Sequence, residues 1–250
     1  MDSLQLRVDY KTVELRDEES PTGFVRLQQG AGSAILLTPD EIDPNQRYPL
    51  FTVLHGAGRQ DEGLAKSFRH DPNRRQALFL IPRSVEPTWD LIASEGRPDL
   101  DFLEYAYDLI YRRYPVDPLQ QSLLGYSDGA SYALSVGLCN ASMFRAVMGW
   151  AAGFLVLDPA TAEQFKVAIP APRPRIYLEY GTHDQIFDFQ SVALPMRDKL
   201  QKAGFDVTFS VDEGGRHWPS GTFQDEALDW YFGDGANAAS TESPRPSPSS

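Results

Sequence analysis

The residues best placed to do chemistry are in Gly125-Tyr126-Ser127-Asp128-Gly129. The apolar Leu123-Leu124 precedes them, and the helix-forming run Ala130 to Leu138 follows. A serine hydroxyl is a weak nucleophile, so it must stand clear of the fold where a base and a substrate carbonyl can both reach it. A sharp strand-to-helix turn achieves this, at the expense of crowding its neighbours. Gly125 and Gly129 remove side chains where strand and helix come closest. The turn also aims the amide of Asp128 from the helix N-terminus, where developing negative charge is favoured. The pentapeptide alone is a weak signal. A strand before it and a helix after it make it a nucleophile elbow.

Such a serine needs a base, and the base needs a carboxylate to orient it. After the apolar strand Ile176 to Tyr180 comes Gly181-Thr182-His183-Asp184, which puts Asp184 at the strand's carboxyl end. Asp188 is the fallback acid and is better explained as a helix cap. One histidine follows in sequence, His217 in Gly214-Gly215-Arg216-His217-Trp218-Pro219, after the last strand and before the last helix. From there an imidazole can reach Ser127 through one ring nitrogen and Asp184 through the other. The other histidines have plainer readings. His70 lies in a polar loop, His183 beside the acid faces solvent or supports the turn, and His55 fixes a loop by hydrogen bonds. No pair among His55, His183 and His217 has metal-ligand spacing, so no metal site is expected.

His55-Gly56-Ala57-Gly58 ends the first wholly apolar strand, where a second oxyanion donor belongs. The expected donors are the amides of Ala57 and Asp128, with Gly58 as the alternative. Arg59 is an expected partner for the Asp128 carboxylate. The expected pocket residues are Gly58, Trp89, Phe187 and Trp218. The segment 151–174, with Phe154, Leu155 and Val156, is another source of apolar wall.

The elements that must hold these residues alternate strand and helix. Gln5 to Leu15 alternates polar and apolar like a half-buried edge strand, and Phe24 to Leu37 reads as one or two further strands. Buried parallel strands are expected at Leu50–Leu54, Ala77–Ile81 (closed by Pro82), Ser122–Tyr126, Phe144–Trp150, Arg175–Tyr180 and Phe205–Val211. Helices are expected at 61–68, 98–114, 129–138, 191–203 and 220–232. The pattern predicts an α/β fold: a doubly wound, mostly parallel sheet with antiparallel N-terminal strands and no large cap. Residues 1–232 form one catalytic domain in this reading, and the Ser/Pro-rich 233–250 a disordered tail.

Composition narrows the function. Across 250 residues the apolar share is 42% and the net charge −12. A nucleic-acid partner and an anionic membrane surface are both disfavoured by that charge. There is no apolar run of transmembrane length and no signal-peptide pattern at the start. The one cysteine, Cys139, rules out an internal disulfide and fits a small core residue in a reducing compartment. A cytoplasmic protein is expected, and its oligomeric state is left open.

Together, Leu54 to Gly58, Gly125 to Gly129, Gly181 to Asp184 and Gly215 to His217 resemble the α/β-hydrolase superfamily. The resemblance spans roughly residues 48–232 and is greatest to the phospholipase/carboxylesterase branch, with polyester depolymerases and dienelactone hydrolases close by. It implies a triad of Ser127, Asp184 and His217 that hydrolyses carboxylic esters without a cofactor. Its partner would be a small-molecule ester, short-chain or exposed. A thioesterase or small amide hydrolase would use the same triad, and a non-catalytic binding protein of this fold is the reading from another class. Two departures are visible. Asp128 stands where the family often has Gln or Met, and Ser127 stands where dienelactone hydrolases carry cysteine.

Overall fold

The computed structural model describes residues 4–10, 20–93, 96–155, 173–219 and 221–238. Eight strands form one sheet: β1 (Phe24–Gln29), β2 (Gly32–Leu37), β3 (Tyr48–Leu54), β4 (Leu78–Arg83), β5 (Val116–Tyr126), β6 (Ala146–Trp150), β7 (Arg175–Gly181) and β8 (Val207–Asp212). Their spatial order is β1-β2-β4-β3-β5-β6-β7-β8. The β1/β2 and β2/β4 pairs are antiparallel, and every pair from β4 through β3 to β8 is parallel. Every residue of β3 and β6 is buried, as expected of strands covered on both faces. The edge strands β1 and β8 are mixed.

The helices are α1 (Asp61–Ser67), α2 (Asp71–Arg75), α3 (Asp90–Ala93), α4 (Pro98–Arg113), α5 (Asp128–Cys139), α6 (Leu194–Lys202) and α7 (Phe223–Ala238). α5 follows the elbow and packs on β5, β6 and β3, while α4 lies on β1 and β2. A single apolar core runs through the sheet, with Phe51, Phe79, Leu124, Val147 and Leu178 wholly buried.

Several expectations need correcting. Leu4 to Tyr10 forms no strand. Its alternation is real, since Leu6, Val8 and Tyr10 pack against the core. Its backbone, however, is bonded to helix side chains: Leu6 N–H donates to Asn140 Oδ1 at 2.8 Å and Arg7 N–H to Glu104 Oε1 at 2.8 Å. Residues 11–15 of that expected strand lie outside the described residues. Pro82 does not close β4 but sits inside it, opposite Ala34 of β2. Pairing with β3 ends at Leu80, so the N–H that proline lacks leaves no gap in that ladder. β5 starts at Val116 rather than Ser122, and its first residue pairs with Tyr48 before a register shift. The short helices α2 and α3 carry too few turns to show a period. A π-helical turn, Phe189–Ala193, precedes α6. α7 continues past Phe232 to Ala238, and residues 239–250 of the expected tail lie outside the described residues.

Candidate active site

Ser127 stands between β5 and α5 with φ 53° and ψ −117°, a conformation that L-residues rarely adopt. The crowding expected at this turn is present. A Cβ on Gly125 would lie 2.2 Å from the carbonyl oxygen of Gly129, and one on Gly129 would lie 2.3 Å from that of Leu54. No side chain fits at either position, so β5, α5 and the end of β3 close on one another and push Ser127 outward.

The structure brings the three expected residues together. Ser127 Oγ lies 2.8 Å from His217 Nε2, and His217 Nδ1 lies 2.8 Å from Asp184 Oδ2. All three side chains are buried. A carboxylate oxygen only accepts, so Nδ1 carries the proton and Nε2 is left to accept from the serine hydroxyl. Asp184 Oδ1 in turn accepts from the amides of Ile186 (2.7 Å) and Phe187 (2.9 Å). A buried carboxylate needs such donors. Asp188 takes no part: it is exposed and accepts from the N–H and Oγ of Ser191 at the start of the π-helical turn.

Of the two expected oxyanion donors, Asp128 directly follows the serine at the start of α5, and Ala57 follows Gly56. Gly56 packs against Ser127, since a Cβ there would meet Ser127 Cβ at 3.4 Å, and Ala57 follows it at the surface. Among the described residues, neither the Ala57 amide nor the Asp128 amide donates to a protein acceptor. The alternative donor Gly58 is excluded on the same ground, because its N–H already donates to the carbonyl of Pro87 at 2.9 Å. Arg59 does not pair with Asp128 either. Its guanidinium is bonded to the carbonyls of Val85 and Glu86, and the Asp128 carboxylate accepts instead from Thr88 Oγ1 at 2.7 Å.

His55 is a fixed structural residue. Nδ1 donates to the carbonyl of Gly56 at 2.6 Å, and Nε2 accepts from the amide of Ser84 at 3.1 Å. Burial lowers its pKa, which keeps it neutral in that role. His70 and His183 are exposed. Among the described residues, no three His, Cys, Asp or Glu are grouped to hold a metal. Cys139 is half-buried, and burial pushes its thiol up to about 11, which makes it a poor nucleophile.

Of the expected pocket residues, Trp89 is a correction. It is wholly buried, stacked between His55 and Tyr132, with its Nε1 donating to the carbonyl of His55 at 2.9 Å. Its size and its need for a hydrogen-bond partner drew it into the core. Gly58, likewise, does not line the nearby cavity, which Gly56, Tyr126 and Trp218 border while Ser127 and His217 themselves do not line it. Phe187 and Trp218 both meet His217 in T-shaped ring contacts, at 5.3 and 5.6 Å between centroids. Only Trp218, 56% exposed, also lines the cavity. That cavity has a volume of about 280 Å³, with Gly56, Leu64, Tyr126, Phe223 and Gln224 among its walls. It lies between α1, the His217 loop and the start of α7. Leu64, Phe223 and Gln224 gave no sign in the sequence, being single residues on the helices that follow two of the motifs. Phe154 and Leu155 are half-buried, and Val156 lies outside the described residues.

Two further residues escaped the sequence reading. Trp150 closes β6, and its indole Nε1 donates to the carbonyl of His217 at 2.6 Å. Its position at the carboxyl end of the strand beside the elbow was the available signal. Thr88 had none.

No protein-family model matches the chain, and no curated protein sequence does. Solved structures do resemble it. A substrate-bound fluorophosphonate-binding serine hydrolase F (FphF) of Staphylococcus aureus aligns with a TM-score of 0.66 at 15% identity, over 83% of this chain and 96% of that one. A CE1 ferulic acid esterase from Anaeromyces mucronatus, in complex with ferulic acid, aligns at 0.62 and 14%, over 87% and 94%. An S-formylglutathione hydrolase (FrmB) of S. aureus aligns at 0.62 and 16%, over 83% and 97%. At such identities the likeness speaks to the fold alone. No helix among the described residues is long and apolar enough to cross a membrane. The strand order, the antiparallel start and these neighbours agree that the chain has the α/β-hydrolase fold, without a large cap among the described residues.

Proposed function

We propose that the protein hydrolyses carboxylic esters of small molecules by acyl transfer through Ser127. The observation that carries the reading is the run of two 2.8 Å contacts from Ser127 Oγ through His217 to Asp184, set at a strained turn. His217 Nε2 takes the hydroxyl proton as Oγ attacks the ester carbonyl, and Asp184 stabilises the imidazolium. The amides of Ala57 and Asp128 hold the oxyanion. The tetrahedral intermediate collapses, the C–O bond to the alcohol breaks, and the imidazolium returns its proton to the leaving oxygen. Water, deprotonated by the same nitrogen, then attacks the acyl-enzyme and releases the acid and the serine. No metal or cofactor enters these steps.

In this reading the cavity bordered by Gly56, Tyr126 and Trp218 receives one end of the substrate. Its apolar walls and volume of about 280 Å³ suit one uncharged group, a ring or a short chain. It falls just short of the roughly 300 Å³ at which pockets for drug-sized ligands begin. Turnover of p-nitrophenyl esters from acetate to palmitate, run beside Ser127→Ala, tests the reading. Hydrolysis should peak at short or ring-bearing acyl groups and fall by several orders of magnitude in the variant. Leu64→Trp, which fills the cavity, should move the peak towards acetate. Turnover unchanged in Ser127→Ala would overturn the mechanism. Absence of turnover with Ser127 still labelled by a fluorophosphonate would replace the ester with a thioester or amide. Absence of both would leave a binding protein.

A further inference from the structure

The segment from Ser84 to Asp90 makes no hydrogen bond to Ser127, His217 or Asp184, yet it is bonded to the loop of Ala57 and to the elbow at Asp128. On the Ala57 side, the Ser84 amide donates to His55 Nε2 and Trp89 Nε1 to the His55 carbonyl. The Pro87 carbonyl accepts from the Gly58 amide, and those of Val85 and Glu86 accept from Arg59. On the elbow side there is one bond, from Thr88 Oγ1 to Asp128 Oδ2 at 2.7 Å. The segment is itself anchored by a reciprocal clasp. Asp99 accepts from the amides of Val85 and Asp90 at 2.7 Å each, and Asp90 Oδ2 accepts from the Asp99 amide at 2.9 Å. A loop so completely tied has one conformation to offer the groups it touches.

Asp128 makes that fixity matter. Its amide is one of the two aimed at the developing oxyanion, while its side chain brings a negative charge next to the nucleophile. A carboxylate free to swing over Ser127 would oppose the charge that its own amide is there to stabilise. Thr88 fixes the carboxylate to one side and completes the tie between the oxyanion loop and the elbow.

We propose that Thr88 is a positioning residue of the ester hydrolase, holding the Asp128 carboxylate so that the Asp128 amide and the Ala57 loop keep one geometry for the oxyanion. The proposal rests on the reading of Ser127 as nucleophile. The effect belongs to the transition state, since the bond touches no ground-state group of the substrate, and it should show in kcat rather than KM.

Thr88→Val keeps the shape and removes the donor. On the best p-nitrophenyl ester it should lower kcat on the order of tenfold, with KM within about twofold. Thr88→Ser, which keeps the hydroxyl, should return kcat to within about threefold of the parent. In an Asp128→Ala background the same Thr88→Val change should alter kcat by less than about twofold, because its partner is gone. An unchanged kcat in Thr88→Val overturns the proposal, as does a loss confined to KM or a loss of equal size in the Asp128→Ala background. If Thr88→Val unfolds on heating well before the parent, Thr88→Ser and the double variant decide by the same criteria. Failure of the nucleophile reading looks different: the parent itself would show no Ser127-dependent turnover, and the proposal would fall with it.

Discussion

Trp150 holds both ends of the Ser127–His217 contact: its carbonyl accepts from the Ser127 amide at 2.8 Å, and its indole Nε1 donates to the His217 carbonyl at 2.6 Å. The first bond is sheet pairing carried one step past β5 into the elbow. The second ties the loop bearing the imidazole to the strand next to the nucleophile. The 2.8 Å between His217 Nε2 and Ser127 Oγ is therefore set partly by a residue with no polar contact to either side chain. Gly181 works with it, since a Cβ there would meet the Gly215 carbonyl at 2.3 Å, and its absence lets the acid and base loops touch.

Trp150→Phe keeps most of the buried ring and deletes the donor. A buried carbonyl left without a partner costs about 1–3 kcal/mol, so chemical denaturation should show a loss of that size. The loosened imidazole should lower kcat by about tenfold while KM changes little. If stability falls and kcat holds, the indole bond supports the core and not the base.

Asp184 and Asp188 are four residues apart, and sequence alone left a choice between them. Asp184→Asn keeps one acceptor for the Ile186 and Phe187 amides and removes the charge facing His217 Nδ1. Turnover should drop by about 10³–10⁴-fold, in the manner of other triads, while the fold persists. Asp188→Ala should leave kcat within about twofold and lower the melting temperature slightly, because it removes a helix cap. The reverse ranking, read from steady-state kinetics of both variants, would exchange their roles.

What could be read in the sequence follows from the range of the forces involved. The meeting of Ser127, Asp184 and His217 was legible because each lies in the connection after a strand, where local turn chemistry and strand order fix its place. The buried strands were legible as apolar runs. Leu4 to Tyr10 misled because alternating burial is also produced by a segment lying across helices, with Asn140 and Glu104 supplying the bonds. Trp89 misled because a large aromatic on a loop reads alike whether it faces substrate or core, and only the distant Tyr132 and His55 decide which. Thr88–Asp128 and Trp150–His217 join residues 40 and 67 positions apart, and nothing in a single sequence marks such pairs.

The Asp90–Asp99 clasp should leave a mark on stability. Burial pushes the Asp99 carboxyl from its ordinary 3.8 up to about 6, with the neighbouring Asp90 charge adding to the rise. The Val85 and Asp90 amides and Arg59 work against it. Asp90 is raised too, chiefly by burial, and faces the Leu100, Asp99 and Leu91 amides and Tyr132. A raised carboxyl favours folding in its protonated form. Its contribution is complete below the ordinary value and is lost as the pH climbs through about 6. Between pH 4.5 and 7.5 wild type should lose about 2 kcal/mol relative to Asp99→Asn, with carboxylates away from Asp90 cancelling in the difference. Urea unfolding of both proteins at steps from pH 4.5 to 7.5 measures this. A difference that stays level, or grows in favour of wild type, means the pair ionises without strain.

Ser127 provides the last test, because its backbone separates the needs of chemistry from those of folding. At φ 53° and ψ −117° a residue with a Cβ bears strain of about 1–3 kcal/mol. Ser127→Ala removes the hydroxyl and keeps the strain; Ser127→Gly removes both. At an ordinary position glycine is less stable than alanine by about 0.5–1 kcal/mol, since it has more chain freedom to lose on folding. Here the order should invert, with the glycine variant more stable than the alanine variant by about 1 kcal/mol and both inactive. Melting and urea curves of the pair decide it. A glycine variant weaker than the alanine one by the usual margin would mean that the elbow holds no strain. The placement of the hydroxyl against His217 would then owe nothing to backbone energy stored in the turn.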